Sequence, residues 1–398
     1  MDITIYPKKL SGTVNAIPSK SQAHRLLICA AFSNSETILY CPATNQDIEA
    51  TANCLSSLGA RVLRTETGYT VKPVKQIPDK AVLNCNESGS TLRFMLPIVG
   101  ALGVDAVFEM SGRLPKRPLS PLWEEMERCG CTLTRPTETT IRCTGKLKPG
   151  DYTIDGSVSS QFITGLLFAM ALMNGNSTLH ITGKLESKPY IEMTRCALSA
   201  FGVNASGNEI CGSFPFTSPG NISVEGDWSN GAFFLAAKAL GSDITVRGLN
   251  ENSPQGDRAS AEILKTIESI SKIDAADIPD LVPILAVTAG AKNGVTFNNI
   301  ARLRLKESDR VATVATMLKN LGAIASTTEN ELTVEPAPYH GCTIDAAGDH
   351  RIAMAAAIAA TVADGPVTIL GAQCVEKSYP SFWEEYKRLG GSYEQYIR

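Results

Sequence analysis

The 398-residue chain lacks several things, and each shortage removes a class of function. It has no cationic excess: 37 Lys and Arg stand against 40 Asp and Glu, a formal charge of −3. Proteins that hold nucleic acid by displacing counterions carry a large positive surplus, so nucleic acid is not an expected partner. Only four histidines occur (His24, His180, His340 and His350), no two of them at ligand spacing, so no metal site is expected. The eleven cysteines are irregularly spaced, and the close pair Cys129 and Cys131 is C-x-C rather than C-x-x-C. The segment Met1 to Pro7 alternates like a strand and has no apolar signal core. Reduced thiols in a cytoplasm are the expectation, not a disulfide framework. The longest apolar stretches, such as Gly165 to Met173, fall short of the roughly 18 residues that span a bilayer.

What is present is more specific. The length predicts two domains. Lys306-Glu307-Ser308-Asp309-Arg310 packs two cations and two carboxylates directly before an amphipathic run. Val311, Val314, Ala315, Leu318 and Leu321 share one helical face, and the same helix would put Lys306 and Arg310 one turn apart. Alone, such a run is usually a solvated turn. Here similar polar clusters open several helices.

A helix that ends at glycine before a short strand recurs at Gly59, Gly130, Gly202, Gly322 and Gly390, spaced by 71, 72, 120 and 68 residues. Glycine past the last turn closes a helix in the left-handed conformation. The long gap holds one more helix, around Ile263 to Ile270. Six units of about 65 residues, three per domain, follow from this spacing. Short β-rich runs such as Val107 to Met110, Ile244 to Arg247 and Val367 to Leu370 supply strands. The helices Phe162 to Met173, Ala232 to Leu240 and Ile352 to Ala363 are apolar on nearly every side, which predicts burial.

Polar residues of these helices gather at their N-termini: Ser19-Lys20-Ser21-Gln22-Ala23-His24-Arg25, Glu87-Ser88-Gly89 to Arg93, Ser159-Ser160-Gln161, and Asp349-His350-Arg351. Capping explains Ser and Asp. Lys and Arg oppose the helix dipole there, so their repetition predicts anions that neutralise both. Asp280 precedes the apolar Leu281 to Val287, where a carboxylate is ordinarily an N-cap, and a cap can also be a catalytic group. Arg113 to Pro118 is a basic loop held by Pro115 and Pro118, and Lys377 lies before the last helix.

These motifs, with Ser187-Lys188-Pro189-Tyr190, resemble in their order the EPSP synthase family of enolpyruvyl transferases, from end to end. The resemblance implies a two-domain inside-out α/β barrel. It places residues 13–226 in one domain, residues 1–12 and 227–398 in the other, and the active site in the cleft between them. It implies transfer of the enolpyruvyl group of phosphoenolpyruvate to the 5-hydroxyl of shikimate 3-phosphate through a tetrahedral intermediate. No cofactor, nucleic acid or membrane is involved, and a cytoplasmic monomer is the expectation. Shikimate 3-phosphate is expected to draw the halves together. Lys20, Ser21, Arg25, Ser159, Ser160, Gln161, Ser187, Tyr190, Asp280 and Lys306 would hold shikimate 3-phosphate. Lys20, Gly89, Arg117, Gln161, Glu307, Arg310, His350, Arg351 and Lys377 would line the phosphoenolpyruvate part. Asp280, Glu307 and Lys20 are the implied proton-transfer groups.

The chain departs from the family pattern twice. Glu87 stands where Asn is expected, and Arg302 where some members place Asn. Two rival readings exist. One is the transferase acting on UDP-N-acetylglucosamine, which carries a reactive Cys in the loop matching Arg113 to Pro118; this chain has none between Cys85 and Cys129. The other is a noncatalytic anion-binding relative, which would not need Asp280 and Glu307 together.

Overall fold

In the computed structural model, which describes residues 1–205, 207–212 and 214–396, the apolar helices form the interior. The chain divides into two units, Met1–Ile17 with Gly226–Arg398, and Pro18–Glu225. The first, which holds both chain ends, is the terminal unit, and the second is the middle unit. The predicted boundary at residue 13 falls inside the strand Ser11–Asn15. That strand pairs in parallel with Asp243–Arg247, so all of it lies in the terminal unit and the division comes later, after Ile17. The first strand, Asp2–Tyr6, pairs antiparallel with Val367–Leu370 and Ser392–Tyr396.

Among the described residues the middle unit holds three sheets, which run, in spatial order, through residues 221–223, 37–40, 68–72 and 61–65; 80–84, 105–109, 140–145 and 131–137; and 151–155, 176–182 and 209–211. The described residues of the terminal unit also form three, through 342–345, 367–370, 2–6 and 392–396; 243–247 and 11–15; and 272–274, 295–298, 331–335 and 324–327. Strand burial alternates, as in Thr37–Tyr40 and Glu331–Glu335, so each sheet turns one face to the core and one to water.

Beneath the sheets lie helices without a polar face. In the terminal unit every residue of Val282–Gly290 and of His350–Ala359 is buried, as are nine of Trp228–Ala239. In the middle unit the counterparts are Lys20–Ala31, Gly89–Leu102 and Ser160–Leu172. Burying each large apolar side chain contributes about 1.5–3 kcal/mol, so a helix apolar all round is stable only inside. A Cβ on Gly165 would overlap the carbonyl of Arg93, which is why the Gly89 and Ser160 helices need glycine where they meet. Each unit has its own apolar cluster. Gly59, Gly130, Gly202, Gly322 and Gly390 all have positive φ, between 78° and 114°. Among the described residues no helix is long and apolar enough to cross a membrane.

Candidate active site

In the middle unit, Ser19 caps its helix and Lys20 and Ser21 occupy the first turn. The Lys20 ammonium lies 2.8 Å from the Asp47 carboxylate. Asp47 gave no signal in the sequence, because it sits in the first turn of an ordinary amphipathic helix capped by Asn45. One turn on, the Arg25 side chain points into the core and is 2% exposed. Its Nε donates to Thr194 Oγ1 at 2.9 Å, Nη1 to the Ser21 carbonyl at 2.6 Å, and Nη2 to the Tyr190 carbonyl at 2.9 Å and Thr164 Oγ1 at 3.3 Å. The guanidinium also lies 5.2 Å from the Phe94 ring centre. All these partners are neutral. Burial pulls Arg25 down to about 10, so it stays charged at neutral pH without a carboxylate bonded to it. Its neighbour His24 is core: Nδ1 meets Thr51 Oγ1 at 2.7 Å, and burial lowers the imidazole to about 3.

The other middle-unit residues occupy helix starts and loops. Gly89 opens its helix after the Ser88 cap. The Arg117 guanidinium lies so close to Gly89 that an added Cβ would stand 2.6 Å from Nη1. Ser159 caps the next helix through the Gln161 N–H, and Ser160 is its buried first residue. Gln161 accepts from Arg93 at 2.6 Å and donates to Ser90 at 2.9 Å, which draws Arg93 and Ser90 into the set. Ser187, buried with φ 54°, precedes the helix that carries Tyr190.

In the terminal unit, the predicted start of one helix is corrected. Lys306 is extended, with ψ −158°, and the helix runs from Arg310 after an Asp309 cap. Asp309 accepts the Ala312 N–H, so Lys306, Glu307 and Ser308 form a loop and share no helical face with Arg310. Asp280 is corrected too. Leu281, not Asp280, occupies the cap position of Val282–Gly290, and no side chain caps that helix. The Asp280 carboxylate instead takes Arg310 Nη1 at 2.7 Å, with Lys306 Nζ at 3.6 Å and Arg351 Nη2 at 3.8 Å.

Arg310 is the hub. Its 1% exposed guanidinium donates Nη2 to Glu307 at 2.8 Å, and Nε to Asp349 at 2.9 Å, where Ser308 also donates at 3.0 Å. Asp349 is both the cap of the His350 helix and an anchor for Arg310. The sequence showed the first role only. Arg351 Nη1 is held by the Ser229 carbonyl at 3.0 Å. His350 is the buried first residue of its helix, and Lys377 ends the 3₁₀ turn Ala372–Lys377, also buried.

Lys306, Arg310 and Arg351 therefore face Asp280, Glu307 and Asp349, and the formal charges cancel. These cations are thus already paired with carboxylates inside the fold. Burial pushes the Asp280 carboxyl up, but Lys306, Arg351 and Arg310 outweigh it and hold it well below the usual range. Burial opposes the Arg310 charge, and Asp349, Glu307 and Asp280 more than restore it. Lys306 is lowered by burial, against the pull of Asp280. Asp257, which the sequence reading did not single out, is 3% exposed; burial and the charge of Asp280 push it to about 7.

Comparison with known proteins agrees with this pattern. The sequence pattern of EPSP synthase (3-phosphoshikimate 1-carboxyvinyltransferase) matches residues 5–272 and 265–386. A Clostridium kluyveri 3-phosphoshikimate 1-carboxyvinyltransferase is 38% identical over 422 residues, 99% of this chain and 98% of that one. A Clostridium acetobutylicum protein of the same name is 37% identical, with the same coverage. The solved EPSP synthase of Acinetobacter baumannii superposes with a TM-score of 0.80 at 24% identity, over 99% of this chain and 100% of that one, which supports the inside-out fold. The chain belongs to the EPSP synthase family.

Proposed function

We infer that this chain is a 3-phosphoshikimate 1-carboxyvinyltransferase. It transfers the enolpyruvyl group of phosphoenolpyruvate to the 5-hydroxyl of shikimate 3-phosphate and releases phosphate. The observation that carries the inference is the near-full-length identity to proteins of that name. The product serves aromatic amino acid biosynthesis.

The reaction is an addition followed by an elimination. The hydroxyl oxygen bonds to C2 of phosphoenolpyruvate, its proton departs, and the methylene carbon gains a proton to become methyl. The tetrahedral intermediate then returns a methyl proton as the carbon–oxygen bond to phosphate breaks. Asp280 is assigned to the hydroxyl. A carboxylate held so far below its usual range is a weak base, so its main part is to accept the hydroxyl's hydrogen bond and orient it. Glu307 and Lys20 are assigned to the methylene proton.

Arg25 suits the shikimate carboxylate or phosphate. It is a buried cation whose four hydrogen bonds all go to neutral oxygens, which leaves one of its five N–H donors for an anion. Ser21, Ser159, Ser160, Gln161, Ser187, Tyr190 and Lys306 are assigned to the same substrate. Gly89, Arg117, Arg310, His350, Arg351 and Lys377 are assigned to phosphoenolpyruvate, with Lys20 and Gln161 shared. Planar guanidinium forks suit carboxylate and phosphate, and lysines supply compact charge.

The test follows phosphate release from phosphoenolpyruvate with shikimate 3-phosphate and, in parallel, with UDP-N-acetylglucosamine. Release with the shikimate acceptor alone is expected. Release with the sugar nucleotide alone would overturn the acceptor assignment, and release with neither would overturn the activity.

A further inference from the structure

The turn Asn86 to Gly89 touches the loop Ser111 to Arg117 at both of the loop's ends. At the first end, the Asn86 carbonyl accepts the Ser111 N–H at 2.9 Å, with Asn86 itself at φ 47°. Beside this bond the Glu87 side chain lies across Gly112, and its carboxylate fills the space a Gly112 Cβ would need. Gly112 has φ 55°, a conformation side chains rarely adopt, and a Cβ there would displace the end of the Glu87 side chain. From there the loop makes the 3₁₀ turn Leu114–Lys116, closed by Leu114 N–H to Ser111 and Arg117 N–H to Leu114, both at 3.1 Å. At the second end the Arg117 guanidinium comes down on Gly89, within 2.6 Å of where a Cβ would stand. Glu87 and Gly112 are both solvent-exposed, so this contact lies at the surface of the turn and the loop.

We propose that Glu87 is a positioning residue: by seating on Gly112 it fixes the Ser111–Arg117 loop and so sets the guanidinium of Arg117 over Gly89. Glu87, where the family resemblance implies Asn, then acts on the loop and not on the substrate. The role assigned to Arg117 toward phosphoenolpyruvate rests on the proposed function; the clasp between turn and loop does not.

Two measurements separate these. First, trypsin cleavage after Arg113 and Lys116 is timed without substrate in the wild type, Glu87→Ala and Glu87→Gln. Faster cleavage in Glu87→Ala, with Glu87→Gln near wild type because it keeps the seated group, is expected; equal rates in Glu87→Ala and wild type would overturn the clasp whatever the activity. Second, steady-state kinetics of phosphate release are measured. Glu87→Ala should raise KM for phosphoenolpyruvate about tenfold through a misplaced guanidinium, with kcat and KM for shikimate 3-phosphate within about twofold. In an Arg117→Ala background the same change should add nothing. Additive effects, an equal rise in both KM values, or a Gln variant as impaired as Ala would overturn positioning through Arg117. Absence of phosphate release by the wild type would overturn the proposed function and leave the trypsin result to decide the clasp.

Discussion

Two buried arginines, Arg310 in the terminal unit and Arg25 in the middle unit, are almost equally hidden, at 1% and 2% exposure, yet they are held in opposite ways. Arg310 is bonded to three carboxylates. Arg25 is bonded to two hydroxyls and two carbonyls and faces an aromatic ring. Burying a charge costs several kcal/mol unless opposite charge compensates it. Around Arg310 the fold supplies that compensation, so its charges lock one another in place before substrate arrives. Around Arg25 neutral dipoles supply only part of it, and the proposed function would bring a substrate anion there. The same residue type is thus held by opposite charge in one unit and by neutral dipoles in the other.

The strongest way to break this contrast is Arg310→Met. It removes the cation that Asp280, Glu307 and Asp349 share, and about 3–5 kcal/mol of stability should be lost in urea unfolding, with kcat/KM down by about a thousandfold or more. Arg310→Lys should recover little, since one ammonium does not span three carboxylates. Arg25→Met should behave differently. KM for shikimate 3-phosphate should rise about a hundredfold, the worth of a charge-assisted bond, while stability changes by no more than about 1 kcal/mol. A stability loss like that of Arg310→Met would erase the distinction.

Acid sharpens the contrast further. His24 has its folded value depressed to about 3. The unfolded chain therefore takes up a proton as pH falls through about 6.5, the folded chain does not, and stability falls over that window. At pH 5 the loss should reach about 2 kcal/mol, removed by His24→Gln. Asp280 is also depressed, so its contribution is full above about 4 and is lost only below that. Hydrogen exchange at pH 5 should accordingly show the middle unit loosening while the terminal unit stays protected. The smallest expected effect is Gly89→Ala. Its Cβ would press on Arg117, and KM for phosphoenolpyruvate should rise about tenfold with little change for shikimate 3-phosphate.

Local features were legible because their causes are local. The closing glycines, the caps Ser19, Ser88, Ser159 and Asp349, and the apolar helices each depend on residues within a turn or so of each other. The errors were also local in form. Lys306 to Arg310 had helical spacing, but Asp309 is itself a capping residue, and it started the helix later. Asp280 looked like a cap because nothing nearby in sequence revealed that cations 26, 30 and 71 residues away would take its carboxylate. Asp47 and Asp257 were missed for the same reason.

The sequence by itself determined which helices must be buried, where they stop, and which cations and carboxylates were available, because burial and capping follow from composition and short-range spacing. Only the tertiary structure decided which charge meets which. Pairing energy falls off over a few ångströms, and although Glu307 is three residues from Arg310, Asp280 and Asp349 come from two separate segments that folding alone brings within hydrogen-bonding distance.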